Sequence, residues 1–388
     1  MIIFELKLKD FMQFSNASID FTYPRESKFS PISQSHSKYP NLKFKKFGLI
    51  LGANASGKTS FGKILCTIQN FLRGINIKSN VGFIDFDMLF KSKVNKLVEW
   101  DVVFAAGTSL YRLNVKINET GIVYESWKRI NLSNKSYSVL KENLDQQSFL
   151  YQSSNVNMIC SSALFGKPEF QTHTEEINND NFFSYSFSDD LNATYQSPKK
   201  VDTKLMTKIM RSFDTSIKTI EMSQDIEGEL IVSFNNDYRE RIGVGGKPAE
   251  KSILSTGTKE SIYLSLLVFA LMNNFHQTIY LDERMSHAHS EIEQQIIEIL
   301  VTLMDGIDGQ LFITSHNADL FDMEFPNYNF ILMKKDKQGL IISPIEPEKT
   351  VKHQNRSLRK VVNDDVFGTS PDLDELIELH TEILEKTL

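Results

Sequence analysis

Residues Gly52-Ala53-Asn54-Ala55-Ser56-Gly57-Lys58-Thr59 match G-x-x-x-x-G-K-[ST] in full, and few eight-residue patterns constrain a fold as tightly. The pattern works only between an apolar strand and a helix. Phe47–Leu51 reads as that strand, and from Thr59 onward Phe61, Ile64, Leu65, Ile68 and Phe71/Leu72 recur at helical spacing. The glycines let backbone N–H groups wrap a phosphate, and the helix N-terminus favours negative charge. Lys58 is placed to reach β- and γ-phosphates and Thr59 to hold Mg²⁺. Gly52, Asn54, Ser56, Gly57 and Ser60 complete the expected binding set, with ATP and Mg²⁺ as the expected ligands.

Three further segments fit phosphate chemistry once this loop is in place. Thr278-Ile279-Tyr280-Leu281-Asp282-Glu283 is an apolar strand that delivers two carboxylates at its C-terminal end. Asp282 would bind Mg²⁺, directly or through water, and Glu283 would orient and polarise an attacking water; such a pair can also be merely structural. Leu254-Ser255-Thr256-Gly257-Thr258 opens an apolar helix. Ser255 and Gly257 at a helix start make a second phosphate cradle, or Ser255 or Thr256 caps the helix, and both can hold together. Phe312-Ile313-Thr314-Ser315-His316-Asn317 sets His316 just past a buried strand, for catalysis or as a strand-end residue without a role. His287 and His289 invite a metal reading, against that of a loop entering a helix.

The rest of the chain reads as mixed α/β. Residues 2–8 and 17–22 are expected strands, and 23–41 is a Pro/Ser/Lys-containing loop. Residues 98–127 alternate in polarity, with turn signals at Ala106-Gly107 and 118–121, so an antiparallel meander is expected. Residues 135–200 are polar and irregular, with an Asn/Ser/Asp-rich stretch at 176–198. A helix at 202–216, strands near 217–223 and 228–234, a helix at 258–274, a strand at 278–281, a helix at 291–304 and a strand at 310–314 follow. A hairpin is expected over 328–344, and a tail helix over 372–384. The fold class is thus α/β: a P-loop NTPase body with an antiparallel β-meander subdomain and a helical insertion. The expected division is 1–130, 131–253, 254–350 and a charged tail, 351–388. No long heptad run is present.

No apolar run reaches membrane-spanning length; Ile262–Met272, the richest stretch, is interrupted by Ser265. The N-terminus lacks the charged start and cleavage site of a signal peptide. Of the two cysteines, Cys66 falls on an apolar helical face, which predicts a buried free thiol; a cytoplasmic protein is expected. The net charge of −6 does not indicate whole-molecule attraction to nucleic acid. Basic clusters at Lys43/Lys45/Lys46, Lys199/Lys200/Lys204/Lys208 and Lys352/Arg356/Arg359/Lys360 read as solvated surface or as local contacts.

In order and spacing the four motifs resemble the ATPase heads of chromosome-maintenance and break-repair proteins, the ABC-type head. The wording GANASGK, the meander from Tyr111-Arg112 to Glu125-Ser126-Trp127, LSTGTKE and ITSHN is most similar to stand-alone bacterial AAA-type ATPases related to the OLD family. The resemblance implies Walker A and B roles for the two main motifs. It implies a signature role for Ser255 and Gly257, which would touch the γ-phosphate of ATP held by a second copy. His316 becomes the switch histidine, and His289 a candidate to cross a dimer interface. It also implies a homodimer or higher homo-oligomer that sandwiches ATP, slow hydrolysis without a partner, and control of a separate effector, a toxin or nuclease, in antiphage defence.

The chain departs from that group at Met285, usually acidic there, and at Ala288, often Leu. No glutamine lies between Gln69 and Gln146 to serve as a Q-loop residue. OLD nucleases carry a TOPRIM domain after the head; residues 317–388 are too few for one, so no nuclease activity is expected. A DNA-acting head of the repair class is the alternative, and a transporter subunit is disfavoured because Lys259-Glu260-Ser261 follow the signature loop.

Overall fold

The computed structural model describes residues 1–23, 30–76, 84, 86–90, 96–158, 183–186, 201–243, 247–248, 254–273, 278–336, 341, 344–347, 358–369 and 374–387. The elements of the first half are β1 (Ile2–Phe11), β2 (Phe14–Asp20), β3 (Phe47–Leu51), α1 (Lys58–Leu72), α2 (Phe86–Phe90), β4 (Val98–Ala106), β5 (Ser109–Asn118), β6 (Gly121–Asn131), α3 (Tyr137–Gln146) and β7 (Tyr151–Met158). The second half contains β8 (Phe183–Ser186), α4 (Thr203–Phe213), β9 (Ile217–Met222), β10 (Leu230–Phe234), β11 (Arg239–Gly243), β12 (Lys247–Pro248), α5 (Thr256–Met272) and β13 (Thr278–Asp282). It closes with α6 (Ser290–Leu303), β14 (Gln310–Ser315), β15 (Phe330–Leu332), α7 (Leu358–Asn363) and α8 (Asp374–Thr387).

Three sheets organise these elements. A parallel sheet runs β15-β3-β14-β13-β8. Its strands β3, β13, β14 and β15 are buried on both faces, which is why they read as short, largely apolar runs. Side chains alternate across it with period two. Ile50, Tyr280, Phe312 and Ile331 pack against α1 and the meander, whereas Leu49, Leu51, Ile279, Leu281, Leu311 and Ile313 pack against α5 and α6. The second sheet is antiparallel, β2-β1-β4-β5-β6-β7, so the expected meander is present and is extended on both sides. The helix α1 lies between these two sheets, and its predicted face (Phe61, Ile64, Leu65, Ile68, Phe71, Leu72) is wholly buried. The third sheet, β12-β11-β10-β9, packs with α4 and α5 around Met206, Met210, Ile220, Val232 and Leu266.

The polar reading of residues 135–200 is corrected in three places. The helix α3 forms at 137–146 and buries Tyr137, Leu140 and Leu144 against the outer face of the meander. These three positions are the only apolar grip on that helix besides Val139, too few to stand out among the surrounding Ser, Asn and Lys. The strand β7 pairs with β6, and β8 takes the edge of the parallel sheet beside β13. β7 is polar and β8 has only four residues, so the sheet edge each joins decides it. The Asn/Ser/Asp-rich stretch lies almost wholly outside the described residues, as do Lys199, Lys200, Lys352, Arg356 and Cys160.

The expected hairpin at 328–344 is also corrected. β15 pairs in parallel with β3, and among the described residues the return leg shows isolated bridges, Leu332 to Ile345 (antiparallel) and Ile341 to Phe14 (parallel). A three-residue strand is too short to encode its partner, and the exposed flank of β3 recruits it. The tail helix α8 forms, with Leu376, Ile377, Leu379, Ile383 and Leu384 all exposed. Among the described residues no helix is long and apolar enough to cross a membrane.

Candidate active site

The site forms at the C-terminal ends of β3, β13 and β14. The two motif strands β3 and β13 are not neighbours; β14 runs between them. The loop after β3 and the carboxylates after β13 therefore converge across the end of β14, whose own last residues sit between the two.

In the P-loop, Gly57 caps α1 at φ 106°, and Ala55 also lies in the left-handed region at φ 60°. A Cβ on Gly57 would come within 2.3 Å of Ile341, and one on Gly52 within 2.5 Å of the Met333 carbonyl. Both glycines are thus required by close packing of the loop. Lys58 is 3% exposed; its Nζ donates to the carbonyls of Gly52 (2.8 Å) and Ala53 (3.2 Å). The same ammonium lies 3.1 Å from Glu283 Oε1. Asn54 is exposed on the crest of the loop, and Ser60 is half-buried on the helix.

Thr59 Oγ1 donates to Asp282 Oδ2 at 2.7 Å, and Thr314 Oγ1 donates to Asp282 Oδ1 at 2.8 Å. Burial holds the Asp282 carboxyl above the usual carboxylate range, against those two hydrogen bonds and Lys58. Glu283 stands at φ 51°, a conformation that costs a non-glycine residue on the order of 1–3 kcal/mol and tends to cluster at functional sites. Its N–H is held by Thr314, through the carbonyl at 3.2 Å and the hydroxyl at 3.0 Å. Glu283 Oε2 is 4.0 Å from His316 Nδ1, so this carboxylate spans Lys58 and a half-exposed imidazole.

The residues present fit a Mg-nucleotide. Ser56 Oγ is buried without a hydrogen-bond partner, inside a loop that two glycines hold open. The N-terminus of α1 carries no side-chain cap and no acidic residue in its first turn, so its N–H groups and Lys58 face a site that suits an anion. Thr59 and Asp282 supply the hard oxygen donors that Mg²⁺ prefers.

The structure thus brings Lys58, Thr59, Asp282, Glu283 and His316 together. Ser255 and Gly257 do not join this cluster. Ser255 is the exposed N-cap of α5; its Oγ accepts from the Thr258 N–H at 3.1 Å and lies 2.8 Å from the Thr258 hydroxyl. His289 is exposed at the N-cap of α6 and makes no capping hydrogen bond. Among the described residues no group of His, Cys, Asp and Glu has the arrangement of a metal centre, so the His287/His289 metal reading finds no support.

No protein-family model matches this chain, and no curated protein matches it. Solved structures similar to it include SMC heads. The SMC head domain from Thermotoga maritima is 16% identical, with TM-score 0.41, over 89% of this chain and 99% of that one. The Smc head of Pyrococcus furiosus with an extended coiled coil, bound to the C-terminal domain of ScpA, is 12% identical, with TM-score 0.47, over 90% and 98%. A further SmcHead, bound to the C-winged helix domain of ScpA, is 14% identical, with TM-score 0.47, over 91% and 100%.

Four residues of the site lie inside the quoted motifs without a role assigned from the sequence. Thr314 bridges Asp282 and the Glu283 backbone. Tyr280 donates its hydroxyl to the Lys58 carbonyl at 2.7 Å, and its ring lies so close to Gly62 that a Cβ there would meet it at 2.3 Å. Asn317 reaches from the segment after β14 to Ser290 Oγ (2.9 Å) and Glu293 Oε2 (2.7 Å) on α6. Glu260, buried on α5, meets His287 Nδ1 at 3.0 Å. Arg359 of α7 bonds Asp322 and lies 3.0 Å from Asp319, holding the C-terminal segment against the turn after His316. A cleft of about 330 Å³ opens there, between Gly52, His316, Phe321, Leu332 and Val362.

Proposed function

We propose that this protein is an ABC-type ATPase that binds Mg-ATP at Lys58, Thr59 and Asp282 and acts as a nucleotide-dependent dimeric switch. The observation that carries the reading is the constellation of Lys58, Thr59, Asp282 and Glu283 around Thr314, with the unpartnered Ser56 hydroxyl inside the loop. The bound Mg²⁺ supplies charge neutralisation on the phosphates. Lys58 and the α1 N–H groups hold the phosphate oxygens. Glu283, fixed through its backbone by Thr314, accepts the proton of the attacking water, and His316 orients it. Ser255 bonds only within the cap of α5 and does not join the cluster around Lys58 and Glu283, which fits a residue that completes the site of a second copy. Residues 1–130 and 254–350 are the proposed ATPase body, with 131–253 inserted and 351–388 as a tail.

The dimer is further proposed to govern a separate effector, a toxin or nuclease of an antiphage system, from the cytoplasm. The exposed apolar side chains of α8 in the tail favour a protein partner. A DNA-acting head is the second reading, favoured by the exposed Lys204, Lys208 and Arg211 along α4; duplex binding that weakens steeply with salt would support it.

The test is the mass of Glu283→Gln protein with and without Mg-ATP, alongside a pulldown from its native host. An ATP-dependent dimer carrying a second protein supports the switch. A nucleotide-bound monomer counts against the sandwich. Lys58→Ala should abolish nucleotide binding in the same assay.

A further inference from the structure

The helix α5 is buried on almost every face, yet it carries a carboxylate in its second turn. Glu260 is 6% exposed, and its one hydrogen-bond partner among the described residues is His287, at 3.0 Å; Oε2 has none. Burying a carboxylate costs stability, which the His287 contact and the nearby Arg284 charge offset only in part, and a leucine would pack there at less expense. The contact therefore adds little to core stability. It also does not stand alone. Gly257, Glu260 and Tyr263 follow one another at helical spacing on α5, and all three face the loop after β13. A Cβ on Gly257 would come 3.3 Å from the His287 carbonyl. The Arg284 guanidinium lies 5.6 Å from the Tyr263 ring centre and also donates to Ser186 Oγ on β8. The loop that begins with Asp282 and the strained Glu283 is thus fastened along the first two turns of the helix that Ser255 caps.

We propose that Glu260 and His287 are positioning residues that couple the two halves of the composite site: they tie the catalytic loop at 282–289 to the signature turn at 255–257 of the same chain. Given the ATP sandwich proposed above, on which this inference rests, Glu283 acts on the ATP of its own subunit while Ser255 meets the ATP of the other. A rigid connection between them makes occupancy of one site set the geometry of the second. Hydrolysis is then cooperative in ATP. Exposed and half out of the packing, His287 is the part of the connection that can be changed without opening the core.

The experiment compares wild type, Glu260→Leu, Glu260→Gln and His287→Ala in three measurements: Mg-ATP affinity, ATP-dependent dimer mass in the Glu283→Gln background, and ATPase rate against ATP concentration. Wild type should give a Hill coefficient above one. Glu260→Leu and His287→Ala should each lower kcat by up to about 100-fold, the cost of misplacing a reacting group by about 1 Å, and bring the Hill coefficient to one, with nucleotide affinity and thermal midpoint retained. Glu260→Gln should restore both, since its amide oxygen still accepts from an imidazole N–H. Adding Glu260→Leu to His287→Ala should cost nothing further. Unchanged kcat and Hill coefficient in His287→Ala, failure of the Gln variant to rescue, or additive losses in the double variant would each overturn the coupling. A wild type without ATP-dependent dimers or ATPase activity overturns the switch reading itself, and is seen before any Glu260 variant is compared.

Discussion

The Thr314 hydroxyl donates to Asp282 Oδ1 at 2.8 Å and accepts the Glu283 N–H at 3.0 Å, so one side chain at the end of β14 orients two successive acidic residues at the end of β13. Replacing Thr314 with Val keeps the shape and removes the hydroxyl. That leaves the Asp282 carboxylate one donor short, at a cost of about 1–3 kcal/mol. ATPase kcat should fall by about tenfold or more, as expected when a preorganised donor is lost. Steady-state kinetics beside a denaturant titration separates the two effects; unchanged kcat would show that Thr314 is only structural.

Gly62 has no room for a side chain. Alanine there would press on the Tyr280 ring, which is fixed by its bond to the Lys58 carbonyl. Ordinary helix preference favours alanine over glycine by about 1 kcal/mol, but overpacking costs about 1–3 kcal/mol. Gly62→Ala should therefore lower the urea midpoint and weaken Mg-ATP binding, while Tyr280→Phe in the same background should not restore either. A raised midpoint would mean that the ring yields freely.

Burial pushes the Cys66 thiol up to about 12, with Arg73 and Asn70 opposing it only weakly. Thiolate is the reacting form. In the folded protein at pH 8 an alkylating reagent should leave Cys66 unmodified over a time in which it labels the unfolded chain fully. Peptide mass mapping checks this, and fast labelling of Cys66 in the folded protein would refute its burial.

Burial likewise holds Glu293 above the usual carboxylate range, against hydrogen bonds from Asn317 and Ser315. A raised folded value means that the fold favours the protonated form. The stability this group contributes is present below its unfolded value and is lost as pH rises through the folded one. Glu293→Gln keeps an acceptor for Asn317 without the charge. It should be more stable than wild type at pH 7.5, and the difference should shrink as pH falls toward about 4.3, the ordinary value for Glu. Thermal midpoints across that range measure it; a gap that widens on acidification would reverse the sign.

The strand, loop and helix at 47–72 were legible because the signal there is local. Eight adjacent residues set the turn, the glycines at Gly52 and Gly57 and the cation at Lys58, and the apolar spacing after them dictates α1. The meander was legible for the same reason, since alternation at 98–127 needs no distant partner to be read. The strands β7, β8 and β15 were not. They are polar or very short, and each exists because an open sheet edge offers hydrogen bonds to whatever segment the topology brings there. The same holds within the site. Asp282 and Glu283 can be read off the end of an apolar strand, but their geometry cannot. Thr314 lies far from both along the chain, and only the placing of β14 between β3 and β13 brings its hydroxyl to Asp282. The contact between Glu260 and His287 is of that kind too: neither residue type nor spacing announces it, and it follows from α5 packing across the loop after β13. The sequence determined which groups are present and which local backbone carries them; the burial of those groups at the meeting of three strand ends, and thus the work each can do, was decided by the packing of the sheets.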